Sequence, residues 1–314
     1  MDNLTETPIS EIKSQPQLKK RFSYRTVLLP LLFIALHFAV SLVVSIAYLV
    51  IYFVVQTVSG TVDVMALLQD QALLSKLLND NFPIMTSLSS LILIPICIIY
   101  LRLANRRDPR TWLTEKPRLT EILPALAMII GAVGAVNLWY NFLFYLQDFS
   151  QPVKEWMGDY AKSSEAFSDS SGFFWLILGV SILTPIAEEL VFRGVVQGEL
   201  RKAMPEWAAI AIQAIVFAAY HMQPIQSSYV LLPAVLLGLA YYWSRSIWVP
   251  IIMHCLFNFL GGVLPSMIGE NALGQEILLY IELGFILVAI LATLYLGLNY
   301  RRKVAAEQLQ LLQN

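Results

Sequence analysis

An all-α, polytopic membrane fold of about eight transmembrane helices follows from three features of the sequence: its apolar bulk, the length of its unbroken apolar runs, and the placement of its basic residues. Of 314 residues 57% are hydrophobic and only 14% are Asp, Glu, Lys or Arg, against roughly 25% charged in an ordinary soluble domain. A single soluble core does not hide that much apolar surface. The net charge is −1 with both signs in short stretches, so the chain lacks the basic field that nucleic acid requires. Cys97 and Cys255 sit far apart in apolar segments and read as membrane-core thiols rather than a disulfide framework.

The elements follow in order. Residues 1–26 form a polar tail. The run 27–55 is too long for a signal-peptide core and reads as a retained span. Further runs long enough to cross a bilayer cover 83–104, 120–146, 172–200, 206–222, 228–244, 247–267 and 276–299, the fifth and sixth being short. They are helices, because in lipid each backbone amide must be satisfied within its own segment and the runs are too continuous for barrel strands. Between the first two, residues 62–78 place Met65, Leu68, Leu73, Leu74, Leu77 and Leu78 at mostly helical spacing with Asp63, Gln69, Asp70 and Lys76 among them, an amphipathic helix lying on the outer surface. No repeat or long linker separates a second domain: 27–300 is one membrane domain, its motif-bearing part 172–260, and 301–314 is a second tail.

Basic residues fix the direction of threading. Lys13, Lys19, Lys20, Arg21 and Arg25 precede the first span; Arg102, Arg106, Arg107, Arg110, Lys116 and Arg118 separate the second from the third. Arg201 with Lys202, then Arg245, then Arg301, Arg302 and Lys303 mark later ends. With eight spans all of these lie on one side, so both termini are expected in the cytoplasm and the acidic loop 147–171, with Asp148, Glu155, Asp159, Glu165 and Asp169, outside. The expected location is the inner or plasma membrane.

The fourth span puts Glu188, Glu189 and Arg193 into an apolar helix, where each charge costs about 2.5 to 3.5 kcal/mol on insertion scales. Glu189 and Arg193, four apart with the acid first, can pair along one face. Glu188 is then left over, rotated about 100° away, and available as a general base. Pro185 removes a backbone bond just before the acids. The fifth span ends with Phe217 and His221, and the seventh holds His254 and Asn258, both pairs at i, i+4. Two helices can therefore aim polar groups at the helix of Glu188. A carboxylate and one imidazole can hold and deprotonate a water, while the other imidazole and an amide donate to a carbonyl oxygen as it becomes negative.

These fragments in this order, Glu-Glu-x-x-x-Arg, Phe-x-x-x-His and His-x-x-x-Asn, resemble the CPBP family, membrane proteases related to the CAAX prenyl endopeptidases that also include bacterial immunity proteins. The resemblance covers about 172–260 and implies an eight-helix fold and hydrolysis of a peptide bond in a membrane-associated or lipidated substrate. By that similarity Glu188 and His221 activate the water, His254 and Asn258 form the oxyanion site, and Glu189 with Arg193, beside Phe217, supports the helix. The expected partners are membrane lipids and such a substrate, with no nucleic acid.

Other readings stay open. Glu188, His221 and His254 can equally be drawn as a three-ligand zinc site with a free position for water, the metalloprotease reading, although the one-helix signature common in zinc proteases is missing. The acids and Arg193 can be a purely structural ion cluster, and Asn258 a helix-packing amide. A non-catalytic immunity or scaffold protein would keep the same fold. A transporter would use the buried groups as an ion path, without the half-to-half repeat such folds show. His37 reads as a helix-packing residue, and Glu282 as a solitary acid off the site. One tension remains: counted at 1.5 Å per residue, Glu188 lies about 18 Å from Leu200, His221 about 22 Å from Glu206, and His254 only about 9 Å from Trp248, whereas a single site needs equal depths.

Overall fold

The computed structural model describes residues 20–60, 69–164 and 173–313. Residues 1–19 of the polar tail, the first part of the 62–78 segment with Asp63, Met65 and Leu68, the acids Glu165 and Asp169, and Asn314 lie outside the described residues. The described chain is helical nearly throughout. In order the helices are α1 (Arg25–Ser59), α2 (Gln71–Asp80), α3 (Phe82–Arg107), α4 (Leu119–Leu146), α5 (Gln151–Ser164), α6 (Phe173–Leu200), α7 (Glu206–Tyr220), α8 (Pro224–Ser244), α9 (Trp248–Ile268) and α10 (Ala272–Gln313). Seven of them (α1, α3, α4, α6, α8, α9 and α10) are long and apolar enough to cross a membrane. The protein is an all-α, multi-pass membrane protein.

Among the described residues seven helices are long enough to cross by themselves; the eighth expected crossing is the short α7, which leads from Glu206, paired with Arg201, to the turn before Ile225, which clusters with Leu143 of α4. The expected fifth span exists as α7, but its 15 residues reach only about 22 Å, short of a hydrocarbon core of about 30 Å. Its end has a local cause. Met222 adopts φ 50°, a left-handed turn that closes the helix, and Pro224 then starts α8. α8 consequently begins earlier than the expected 228, and α10 continues through residue 313 as helix.

α6 is irregular where it matters. Its middle, Thr184–Glu189, is α-helical, but the flanking stretches Leu176–Leu183 and Leu190–Gln197 wind as wider π-helical turns, a feature that recurs at functional sites. Pro185, which has no N–H, sits at the junction. α6 is buried along its second half, with Leu190, Val191, Phe192 and Val195 packing against Leu101 of α3, Phe217 of α7, Ala234 of α8 and Phe33 of α1. A second apolar cluster joins Met128 and Ile129 of α4 to Leu237, Met253 and Leu296. α4 and α10 approach so closely that a Cβ on Gly134 would collide with the Glu282 carbonyl oxygen and one on Gly131 with that of Phe285, the small-residue contact by which membrane helices associate.

The basic segments meet at one end of this bundle. Arg21 N–H donates to the Lys202 carbonyl, and Glu115 N–H to that of Arg245. Thr114 bridges to Ser246. Arg245 pairs with Glu307, and Lys303 with Glu115. Five segments distant in sequence thus share one face, the arrangement that the distribution of Lys and Arg requires. At the other end Leu143, Val153 of α5 and Ile225 form a third cluster, where Tyr160 and Tyr229 hydroxyls lie 3.0 Å apart.

Candidate active site

The tension over depth resolves between Glu188 and His254 through two structural details. π-helical turns advance less per residue than α-helical ones, so the stretch Leu190–Gln197 brings Glu188 closer to the basic face than a straight α-helix would. The segment before α9 is itself buried, with Ser246 and Ile247 at 0% and 2% exposure, so α9 starts inside the protein rather than at its rim. His254 thereby reaches the level of the two glutamates.

Glu189 and Arg193 form the ion pair that their spacing predicts, with an Arg193 Nη donating to Glu189 Oε1 at 2.8 Å and both side chains fully buried. The other Arg193 Nη donates to the Ala234 carbonyl of α8, and the guanidinium lies 5.0 Å from the centre of the Phe217 ring, a cation–π contact. The same Glu189 oxygen receives His254 Nδ1 at 2.7 Å. A carboxylate only accepts, so Nδ1 carries the proton. The opposite nitrogen, Nε2, faces Glu188 Oε2 at 3.6 Å. His254 is thus held between neighbouring acids, one bonded and one beyond hydrogen-bond distance. Among the described residues no hydrogen bond reaches Glu188, which is 8% exposed.

His221 ends α7, and its Nδ1 lies 2.8 Å from the Phe217 carbonyl. A carbonyl likewise only accepts, so Nε2 is left as the acceptor. Phe217 is the hub: its ring meets His221 edge-on at 4.8 Å and His254 at 5.9 Å, which explains in packing terms why Phe stands four residues before His. Asn258 donates one amide hydrogen to the Val180 carbonyl on α6 and has a second to offer. α7 and α9 therefore supply His221 and His254 around one aromatic ring, with Glu188 of α6 facing His254, while Asn258 ties α9 to α6. No hydrogen bond among the described residues joins Glu188 to His221 or Asn258 to His254.

His37 packs one helix on another, as the sequence reading expects, whereas Gln197 and Gln213 escaped that reading. His37 Nδ1 lies 2.9 Å from the Tyr220 hydroxyl, with the rings stacked at 5.2 Å, so α1 holds the last turn of α7 beside His221. The only sequence signal was an isolated His in an apolar run. Gln197 and Gln213, both fully buried, line the same side of α6; Gln197 continues the four-residue spacing of Glu189 and Arg193, which was the available signal.

Among the described residues no three His, Cys, Asp or Glu side chains are grouped as a metal ion would need; His254 is bonded to a carboxylate at Nδ1 and keeps Nε2 free.

The geometry defines a class: a helical membrane protein with a buried acid–imidazole cluster shared by three helices. Residues 170–260 match the family described as Type II CAAX prenyl endopeptidase Rce1-like. Over 93 residues, 26% of this chain, the sequence is 34% identical to the membrane-embedded CAAX protease MroQ of Staphylococcus aureus (strain USA300), and the match spans 36% of that protein's length. No solved structure matches. Over these residues the chain is similar to the CAAX-protease relatives of the CPBP family, and the match takes in about a third of the relative's length.

Proposed function

We propose that this chain is an intramembrane endopeptidase that hydrolyses a peptide bond of a membrane-held or lipidated substrate, as the name of its relative suggests, with its basic face in the cytoplasm. The observation that carries the reading is His254, held by Glu189 at one nitrogen and turned to Glu188 at the other in a buried cluster. Glu188 takes a proton from a water whose oxygen bonds to the substrate carbonyl carbon. His221, accepting at Nε2, holds that water. The proton passes to His254 Nε2, whose positive ring Glu189 supports, and on to the amine nitrogen as the C–N bond breaks. His254 and the second amide hydrogen of Asn258 donate to the developing oxyanion.

The test is cleavage of prenylated and membrane-anchored peptides by the protein in vesicles, comparing wild type with Glu188→Gln. Loss of cleavage with retained fold is expected. Undiminished cleavage by the folded variant removes the mechanism.

A further inference from the structure

A hydrolase walled by lipid has to be supplied with water, and the side of α6 facing α7 and α8 carries a line of buried polar groups running away from the glutamates. Glu189, Arg193, Gln197 and Arg201 recur every four residues. Four residues overshoot one α-helical turn and fall short of one π-helical turn, so the mixed winding of α6 keeps them on one side where a uniform helix would let them drift.

Two sets of contacts make up the line and meet at Gly238 of α8. Arg193 and Gln213 of α7 donate to the same Ala234 carbonyl, each at 3.1 Å. Gln197 donates to the Gly238 carbonyl at 3.2 Å and to Glu206 at 2.8 Å. Glu206 pairs with Arg201 at 3.0 Å, and the Arg201 guanidinium lies 4.8 Å from the centre of the Tyr241 ring. Arg201 in turn lines a cavity of about 230 Å³ at the basic face, with Pro109, Arg110, Leu113, Tyr242 and Arg245. Both side-chain amides crowd Gly238: a Cβ there would stand 2.9 Å from Gln213 Nε2 and 3.2 Å from Gln197 Oε1.

Each member of this line keeps a buried polar atom without a hydrogen-bond partner among the described residues: Glu189 Oε2, Arg193 Nε, Gln197 Oε1, Gln213 Oε1 and Arg201 Nε. Buried polar atoms without partners are rare and unfavourable. Five in a row, mixing donors with acceptors, match the requirements of bound water, which typically makes about three hydrogen bonds to such groups. A purely structural network would pair these atoms with one another.

We infer that the line from Arg201 through Gln197 and Gln213 to Arg193 and Glu189 is a water-binding column that connects the cavity at the basic face with the buried acid–imidazole cluster. Its use as the supply for hydrolysis rests on the proposed endopeptidase reading; its existence does not.

Hydroxyl-radical footprinting, in which ionised water labels the side chains it touches, tests this on the full-length protein in membranes. Phe217 and Tyr241 are 3% and 0% exposed, yet each lies against a column arginine, so both should be labelled. Met128, equally buried in an apolar cluster and intrinsically more reactive, should stay unlabelled. In the double variant Gln197→Leu with Gln213→Leu, and independently in Gly238→Ala, the label on Phe217 should be lost. Absence of label on Phe217 and Tyr241 in the wild type, or label on Phe217 that persists in folded variants, overturns the column. If the label behaves as expected and the variants lower turnover without changing KM, the column feeds hydrolysis. If the label behaves so in a protein that cleaves nothing, the column stands and the endopeptidase reading falls.

Discussion

The two adjacent glutamates should fail in opposite ways when each is changed to Gln. Glu189 is fully buried and shares one oxygen between Arg193 at 2.8 Å and His254 at 2.7 Å. Glu189→Gln leaves the Arg193 guanidinium in the bundle interior without its countercharge, and breaking one partner of a buried pair destabilises by about 3 to 5 kcal/mol. The His254 bond is worth about 1.5 to 3 kcal/mol on its own, but it shares the same carboxylate, so the two losses do not add. Glu188 has no hydrogen-bonded partner among the described residues, and Glu188→Gln exchanges a poorly compensated buried acid for an amide of equal shape. Its effect on stability should stay within about 1 kcal/mol, of either sign. Equilibrium unfolding in detergent or bicelles measures both. A third variant sharpens the comparison: Glu189→Gln combined with Arg193→Met removes the stranded charge and should regain part of the loss. Equal stabilities for the two single variants would refute the division of labour, as would a double variant no better than Glu189→Gln alone.

Two further predictions concern packing and pH. Gly134→Ala sets a Cβ against the Glu282 carbonyl, a backbone atom that cannot move aside, and should force α4 from α10 and destabilise by about 1 to 3 kcal/mol; unchanged unfolding would show that this contact is looser than described. Asp108 accepts from Arg110 Nε and an Arg110 Nη at 2.9 and 2.7 Å, and that guanidinium holds its carboxyl below the ordinary range. Because the folded value is the lower one, the pair's contribution is complete above about pH 4 and is lost as pH falls through the folded value. The loop is partly exposed, so the amount is below about 1 kcal/mol. Stability of wild type relative to Asp108→Asn, compared at pH 6 and pH 3, should shrink; a constant difference contradicts it.

The helices, their order and the Glu189–Arg193 pair were legible because each depends on spacing along one segment: apolar length gives the span, and i, i+4 gives the pair. Whatever depends on how one helix stands against another was not. Nothing in the order of residues says that His254 bonds Glu189 rather than Glu188, since both acids lie on the same turn of α6 and the choice is made by the rotation of α9. The depths of Glu188 and His254 disagreed on paper because uniform α-helical rise was assumed, while α6 winds partly in π turns and α9 begins below the surface. α7 is shorter than its apolar run because the left-handed turn at Met222 ends it after 15 residues. Gln197 was legible in principle. It falls four residues beyond Arg193, and following that period one step further would have found the column.

The placement of Glu188 bears on whether the cluster is merely structural. An ion cluster that served only to join α6, α8 and α9 would be complete with Glu189, Arg193 and His254: one acid, one guanidinium, one ring, and a bond to the α8 backbone. Glu188 adds no hydrogen bond to that assembly and brings a second acid within electrostatic reach of Glu189, which burial makes more unfavourable rather than less. Removing it should therefore leave the assembly intact. A buried carboxylate that its neighbours do not need, beyond hydrogen-bond distance of an imidazole whose far side they do need, fits the general base proposed for Glu188.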